Sequence, residues 1–99
     1  MSQEKIEKFD VFIGQVNTLN ATEKVYELAG KIKTGDLAAE DFAKYYAAKA
    51  SGANSVSNEL LDNLKNNFKA IDEGIPQERL KAVSAIESLL KRLMPKVAK

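Results

Sequence analysis

Ninety-nine residues, 44% of them hydrophobic and 29% charged, set the scale of one small domain and exclude a disordered tail. Fifteen Lys and Arg against fourteen Asp and Glu leave a net charge of +1 and a pI near 7.9, so average charge points to no polyanionic partner. Histidine, cysteine and tryptophan are all absent, which removes disulfide scaffolds, zinc fingers, thiol enzymes and Ser-His-Asp hydrolases together.

The first residues, Met1 to Lys5, lead into no apolar signal core, and no window reaches the roughly 18 apolar residues of a membrane span. With no cysteine to oxidise, the expected location is cytoplasmic. Apolar residues at Ile6, Phe9, Phe12, Ile13, Val16 and Leu19 follow the three-four spacing of one helical face and predict a first helix from about Ser2 to Leu19. Val11 points off that stripe and is expected to be exposed. Asn20 and Glu23 then have the spacing of a capping box, opening a second helix striped by Val25, Leu28, Ala29 and Ile32. Lys31 and Lys33 suit the negative end of its dipole, and Gly35 is the natural left-handed stop.

Asp36, Glu40 and Asp41 load acid into the start of a third helix, which carries Phe42, Tyr45 and Tyr46. A nearly smooth strip of Ala39, Ala43, Ala47 and Ala50 lets a neighbouring helix approach closely. Tyr45 and Tyr46 diverge by about 100°, and Tyr46, sharing the Phe42 face, is expected to be the more buried. Residues Ser51 to Ser55 form the clearest break, with Asn54 or Ser55 as the next cap. Helix four is predicted from about Ser55 to Glu73, with Leu60, Leu61, Leu64, Phe68 and Ile71 inside and Asn67 as a polar residue on the same seam. Gly74 and Pro76 read as a C-cap followed by the first residue of helix five. In that last helix Val83, Ile86, Leu90, Leu93 and Val97 keep the three-four spacing, Leu80, Leu89 and Met94 widen the stripe, and Pro95 should end or kink it. No sustained period-two alternation competes. The expected fold is therefore all-α, one domain over residues 1–99, a compact antiparallel bundle of four to five short helices. A three-helix chain bridging Gly35 or Gly52 is the rival.

Catalytic chemistry finds little to work with. The carboxylate pairs Glu23/Glu27, Asp36/Glu40 and Glu59/Asp62 fall on faces that belong to solvent. Glu-to-Lys pairs at i,i+4 (Glu4/Lys8, Glu27/Lys31, Glu40/Lys44, Glu87/Lys91) mark the same faces as helix surface. A calcium loop starting at Asp36 lacks the glycine at its sixth position and has Ala47 where the twelfth needs glutamate. The five glycines are isolated and make no phosphate loop. No enzyme activity, metal or cofactor is expected.

Val25-Tyr26-Glu27-Leu28, followed by Gly35-Asp36-Leu37-Ala38-Ala39-Glu40-Asp41-Phe42, resembles the second and third helices of TAFH-type domains from transcription regulators. The resemblance implies a small helical module that takes short amphipathic peptides.

By subtraction, the functional expectation is a non-catalytic protein that works by docking another protein, as inhibitors, immunity factors, adaptors and virus-encoded regulators do. The candidate interaction surface is Leu89, Leu93 and Met94 on helix five, Tyr45 on helix three, and the cations Lys91, Arg92 and Lys96. The seam pattern of helix five keeps a homodimer open. A basic C-terminal run with Lys91, Arg92, Lys96 and Lys99 and no acid supports the alternative of a small nucleic-acid-associated regulator. Leu89 decides how helix five is used: burial makes it an internal helix, and exposure makes it an association surface.

Overall fold

The computed structural model describes residues 2–97 and contains five helices: α1 (Gln3–Gly14), α2 (Ala21–Thr34), α3 (Ala39–Ser51), α4 (Asn58–Glu73) and α5 (Pro76–Val97). Among the described residues there is no strand, and the chain is an all-α bundle. The Cα radius of gyration, 12.5 Å, is what about 100 compactly packed residues give.

Helix α1 is capped by Ser2, whose hydroxyl accepts from the Lys5 N–H. It stops at Gly14, five residues before the periodicity runs out, because two asparagines offer the backbone better partners than another helical turn would. Asn17 Oδ1 accepts from the N–H groups of Leu19 and Asn20, while Asn20 Oδ1 accepts from the Asn17 N–H and Asn20 Nδ2 donates to the Gln15 carbonyl. Leu19, read as a core position, is consequently 94% exposed. The same network uses up the Asn20 side chain. Asn20 is the N-cap residue of α2, yet its side chain makes no capping bond there.

Gly35 and Gly52 end α2 and α3 with φ of 88° and 66°, the left-handed conformation that glycine adopts without strain. Helix α3 starts at Ala39, later than its acidic approach suggested, so Asp36 lies outside the helix and Glu40 and Asp41 occupy its first turn. The cap of α4 is Ser57, whose Oγ accepts from the Leu60 N–H, in place of Asn54 or Ser55. Gly74 ends α4 in an extended conformation, φ −73°. Glycine is required there for space: a Cβ would stand 2.5 Å from the Ala70 carbonyl oxygen. Ile75 then donates its N–H to the Glu78 carboxylate, closing half of a capping box around Pro76, the first residue of α5. Pro95 does not end α5, which continues to Val97 with one backbone donor missing in its last turns.

Helix α5 packs against all four other helices, α1 against α3 and α5, and α2 against α4 and α5. Helices α4 and α5, joined by a tight turn, run antiparallel. The α1–α3 pair runs parallel, since Lys5 pairs with Asp41 while Asp10 pairs further along with Tyr45 and Lys49. One aromatic chain runs through the core: Tyr45 stacks on Phe9 at 5.0 Å, Phe9 meets Phe42 at 5.9 Å, and Phe42 meets Phe68 edge-on at 6.0 Å. Phe9, Leu28, Leu64, Ile86, Leu90 and Leu93 are fully enclosed around it, and no polar or charged residue among those described is buried with them.

Candidate functional site

The residues that sequence reasoning grouped as one interaction surface separate into three environments. Leu93 is fully buried, and Tyr45, at 1% exposure, is among the most enclosed side chains of the core. Neither can meet a partner. Tyr45 is also more buried than Tyr46, at 9%, reversing the expected order. Helix α3 is covered on two sides: α1 closes over Tyr45 and α5 lies against Tyr46. The Tyr45 hydroxyl donates to Asp10 Oδ1 at 2.5 Å, and burial together with that carboxylate pushes the phenol pKa well above its ordinary value. Lys49 Nζ lies 3.5 Å from the same oxygen. Along with Lys5–Asp41 at 2.9 Å, this fastens α1 to α3 along its length.

Leu89 and Met94 are half-buried and packed against the core, and Leu93 beside them is enclosed, so much of the α5 stripe is covered from within the same chain. The broad stripe is explained by four neighbours in the same chain, and only Leu80 on it is left largely exposed, at 67%. Asn67 does not act across a seam, because its amide donates to Asn63 one turn back on α4.

Lys91, Arg92 and Lys96 stand on the outside, and Lys99 lies outside the described residues. Lys91 pairs with Glu87 at 3.1 Å. Glu87 also accepts from the Thr22 hydroxyl at 2.7 Å, and the hydroxyl and Lys91 together hold its carboxyl below the usual glutamate range. Arg92 and Lys96 instead flank a cleft of about 390 Å³ between the last turns of α3 and α5, where Tyr46, Ala50 and Ser51 complete the wall. Arg92 Nη1 donates to the Tyr46 hydroxyl at 3.3 Å.

A larger cleft, about 590 Å³, lies between α1, α2 and the segment after α2, and sequence reasoning did not find it. Val11, Phe12 and Leu37 make its apolar floor. Its rim carries Glu4, Glu7, Glu27 and Asp36 against Lys8 and Lys31. Val11 was placed correctly as an exposed residue, at 63%, and the fold makes this off-stripe valine part of a cleft lined also by α2 and by Leu37 beyond it. Lys24 braces one end, bonded to the Gln15 side chain and Glu27 and lying 5.5 Å from the centre of the Phe12 ring.

The six carboxylates of the pairs considered for acid–base work, Glu23, Glu27, Asp36, Glu40, Glu59 and Asp62, are all exposed. Among the described residues, no group of three or more acidic side chains stands close enough to hold a metal ion, and no helix is long and apolar enough to cross a membrane. No protein-family model matches the chain, and no curated protein or solved structure matches it either.

Proposed function

We propose that the chain is a non-catalytic protein-interaction module and that its docking surface is the α1–α2 cleft. The observation that carries this reading is the cleft's composition: an apolar floor with an exposed valine, rimmed by four acids and two lysines. That surface fits one kind of occupant, an amphipathic helix of a partner protein with aliphatic residues on one face and lysines or arginines beside them. Glu27, Asp36 and Leu37 belong both to this cleft and to the segment resembling TAFH-type modules, which take ligands of the same general kind. Self-association through α5 has less support, since the leucines that would form the seam are spent inside the monomer. Nucleic-acid association through the end of α5 is also less supported, because Lys91 is already paired and two cations are too few to follow a phosphate backbone.

The test is a titration of the protein with a synthetic helical peptide carrying leucines at i, i+3, i+4 and i+7 and lysines elsewhere, followed by amide chemical shifts. The expected result is saturable shifts centred on Val11, Gln15, Lys31 and Leu37 that weaken about tenfold in Val11→Ser. A scrambled peptide of equal charge that gave the same shifts, or shifts spread evenly over the surface, would overturn the proposal.

A further inference from the structure

The cleft between the ends of α3 and α5 has a chemistry that protein docking at α1–α2 leaves unused. Its polar groups are Tyr46, Ser51, Arg92 and Lys96, and no carboxylate lines it among the described residues. Arg92 and Lys96 make no ion pair among those residues, as is also true of Lys8, Lys31, Lys65, Lys69, Arg79 and Lys81; what sets this pair apart is one shared cleft wall without a carboxylate. The simplest structural duty for two cations here would be to satisfy the carbonyls at the end of α3. Part of that duty is taken: the N–H groups of Gly52 and Ala53 and the Ser51 hydroxyl return to Ala47 and Ala48. Arg92 bonds none of those carbonyls. It donates to the Tyr46 oxygen, which leaves that phenol's own hydrogen free to donate in turn.

The inventory is therefore one-sided. The Tyr46 O–H, the remaining guanidinium N–H groups of Arg92 and the Lys96 ammonium are donors, while the Ser51 hydrogen is already committed to Ala47. Donors approach from two helices and differ in kind: a planar fork, a hydroxyl and a point charge. A flat carboxylate is satisfied along one edge by a guanidinium fork alone, whereas a tetrahedral dianion presents oxygens in several directions. We propose that this cleft binds a single phosphate group, free inorganic phosphate or a terminal phosphate ester, through Arg92, Lys96 and the Tyr46 hydroxyl. Tyr46 is nearly enclosed and packed between α3 and α5, so its hydroxyl is fixed in place before the ligand arrives.

The experiment titrates the intact chain with inorganic phosphate at constant ionic strength, reading the Tyr46 ring and Arg92 side-chain resonances by NMR, with acetate in a parallel series. Phenyl phosphate in a third series separates an ester from the free ion. Phosphate is expected to give a saturable shift at both residues, weakened about tenfold in Arg92→Gln and in Lys96→Gln and unchanged in Lys91→Gln, whose native partner is Glu87. Lys96→Gln removes no hydrogen bond among those described, so its loss of binding cannot be ascribed to a disturbed fold. Acetate should shift the same signals much less. Non-saturating shifts, equal shifts from acetate, or binding that survives both neutralising variants would overturn the proposal, as would a duplex oligonucleotide that binds where phosphate does not.

Discussion

Replacing Tyr45 by phenylalanine isolates one bond in the α1–α3 junction. The ring keeps its stack on Phe9 and its place beside Lys49, so the apolar burial is unchanged and only the hydroxyl is lost. That hydroxyl donates to a carboxylate at 2.5 Å, and hydrogen bonds to charged groups contribute about 1.5–3 kcal/mol. Asp10 keeps about a third of its side chain in water and retains Lys49, so solvent replaces part of what the phenol supplied. The lower end of the range applies, ~1.5 kcal/mol, which for a domain of this size lowers Tm by roughly 6–12 °C. Asp10→Ala should cost a similar ~1–3 kcal/mol, because it strands a hydroxyl inside the core. The two changes together should cost at least ~1 kcal/mol less than their sum. The phenol also adds an alkaline signature. Its pKa is raised in the folded state, so the unfolded chain releases the proton first and stability falls as pH climbs past about 10. Tyr45→Phe should remove that part of the decline. Denaturant titrations of the four proteins provide the measurement. A Tyr45→Phe variant within ~0.3 kcal/mol of the parent, or strict additivity with Asp10→Ala, would show that the bond holds nothing together.

At Gly74, alanine ordinarily stabilises a position with negative φ by about 0.4–1 kcal/mol, but the new methyl would meet the Ala70 carbonyl oxygen, and the sign should reverse to a loss of ~1–3 kcal/mol by urea unfolding. For Glu87, the folded pKa is depressed, so its stabilising contribution is present above the ordinary glutamate value of about 4.3 and is lost as pH falls through the lower folded value. Thermal melts between about pH 6 and about pH 3 should therefore show a smaller acid-induced fall in Tm for Thr22→Val than for the parent, because the hydroxyl is the first cause of the shift.

Helical periodicity and terminal residues made most of the architecture readable in advance. Gly35 stops α2, Pro76 starts α5, and Val25, Leu28, Leu64, Phe68, Ile86 and Leu90 are buried where their spacing put them. The misreadings share a physical origin. Leu19 kept the helical spacing, yet the asparagine bonds that expelled it depend on a turn geometry that periodicity does not encode. Tyr45 reads as an interaction residue because one helix considered alone has one inner face, whereas α3 has two, set by a parallel α1 that no local pattern announces. Leu93 and Leu89 suggested an association surface for the same reason. A broad stripe records how many neighbours a helix has without saying whether they belong to the same chain. Of the cations in the candidate site, Arg92 and Lys96 do line one cleft, but the tyrosine that Arg92 bonds there is Tyr46, forty-six residues before it. The α1–α2 cleft gathers residues from α1, α2 and the segment after α2, and no residue in it is unusual by itself.

Because α5 touches each of the other helices, it emerges from the ribosome only after every surface it must cover is already outside. Until then α1 to α4 have no common partner, and Phe9, Leu28 and Leu64 wait without the helix that seals them. Assembly of the bundle consequently waits for its fifth helix, and a ribosome paused before α5 would display a sticky, half-built core to whatever chaperones attend it.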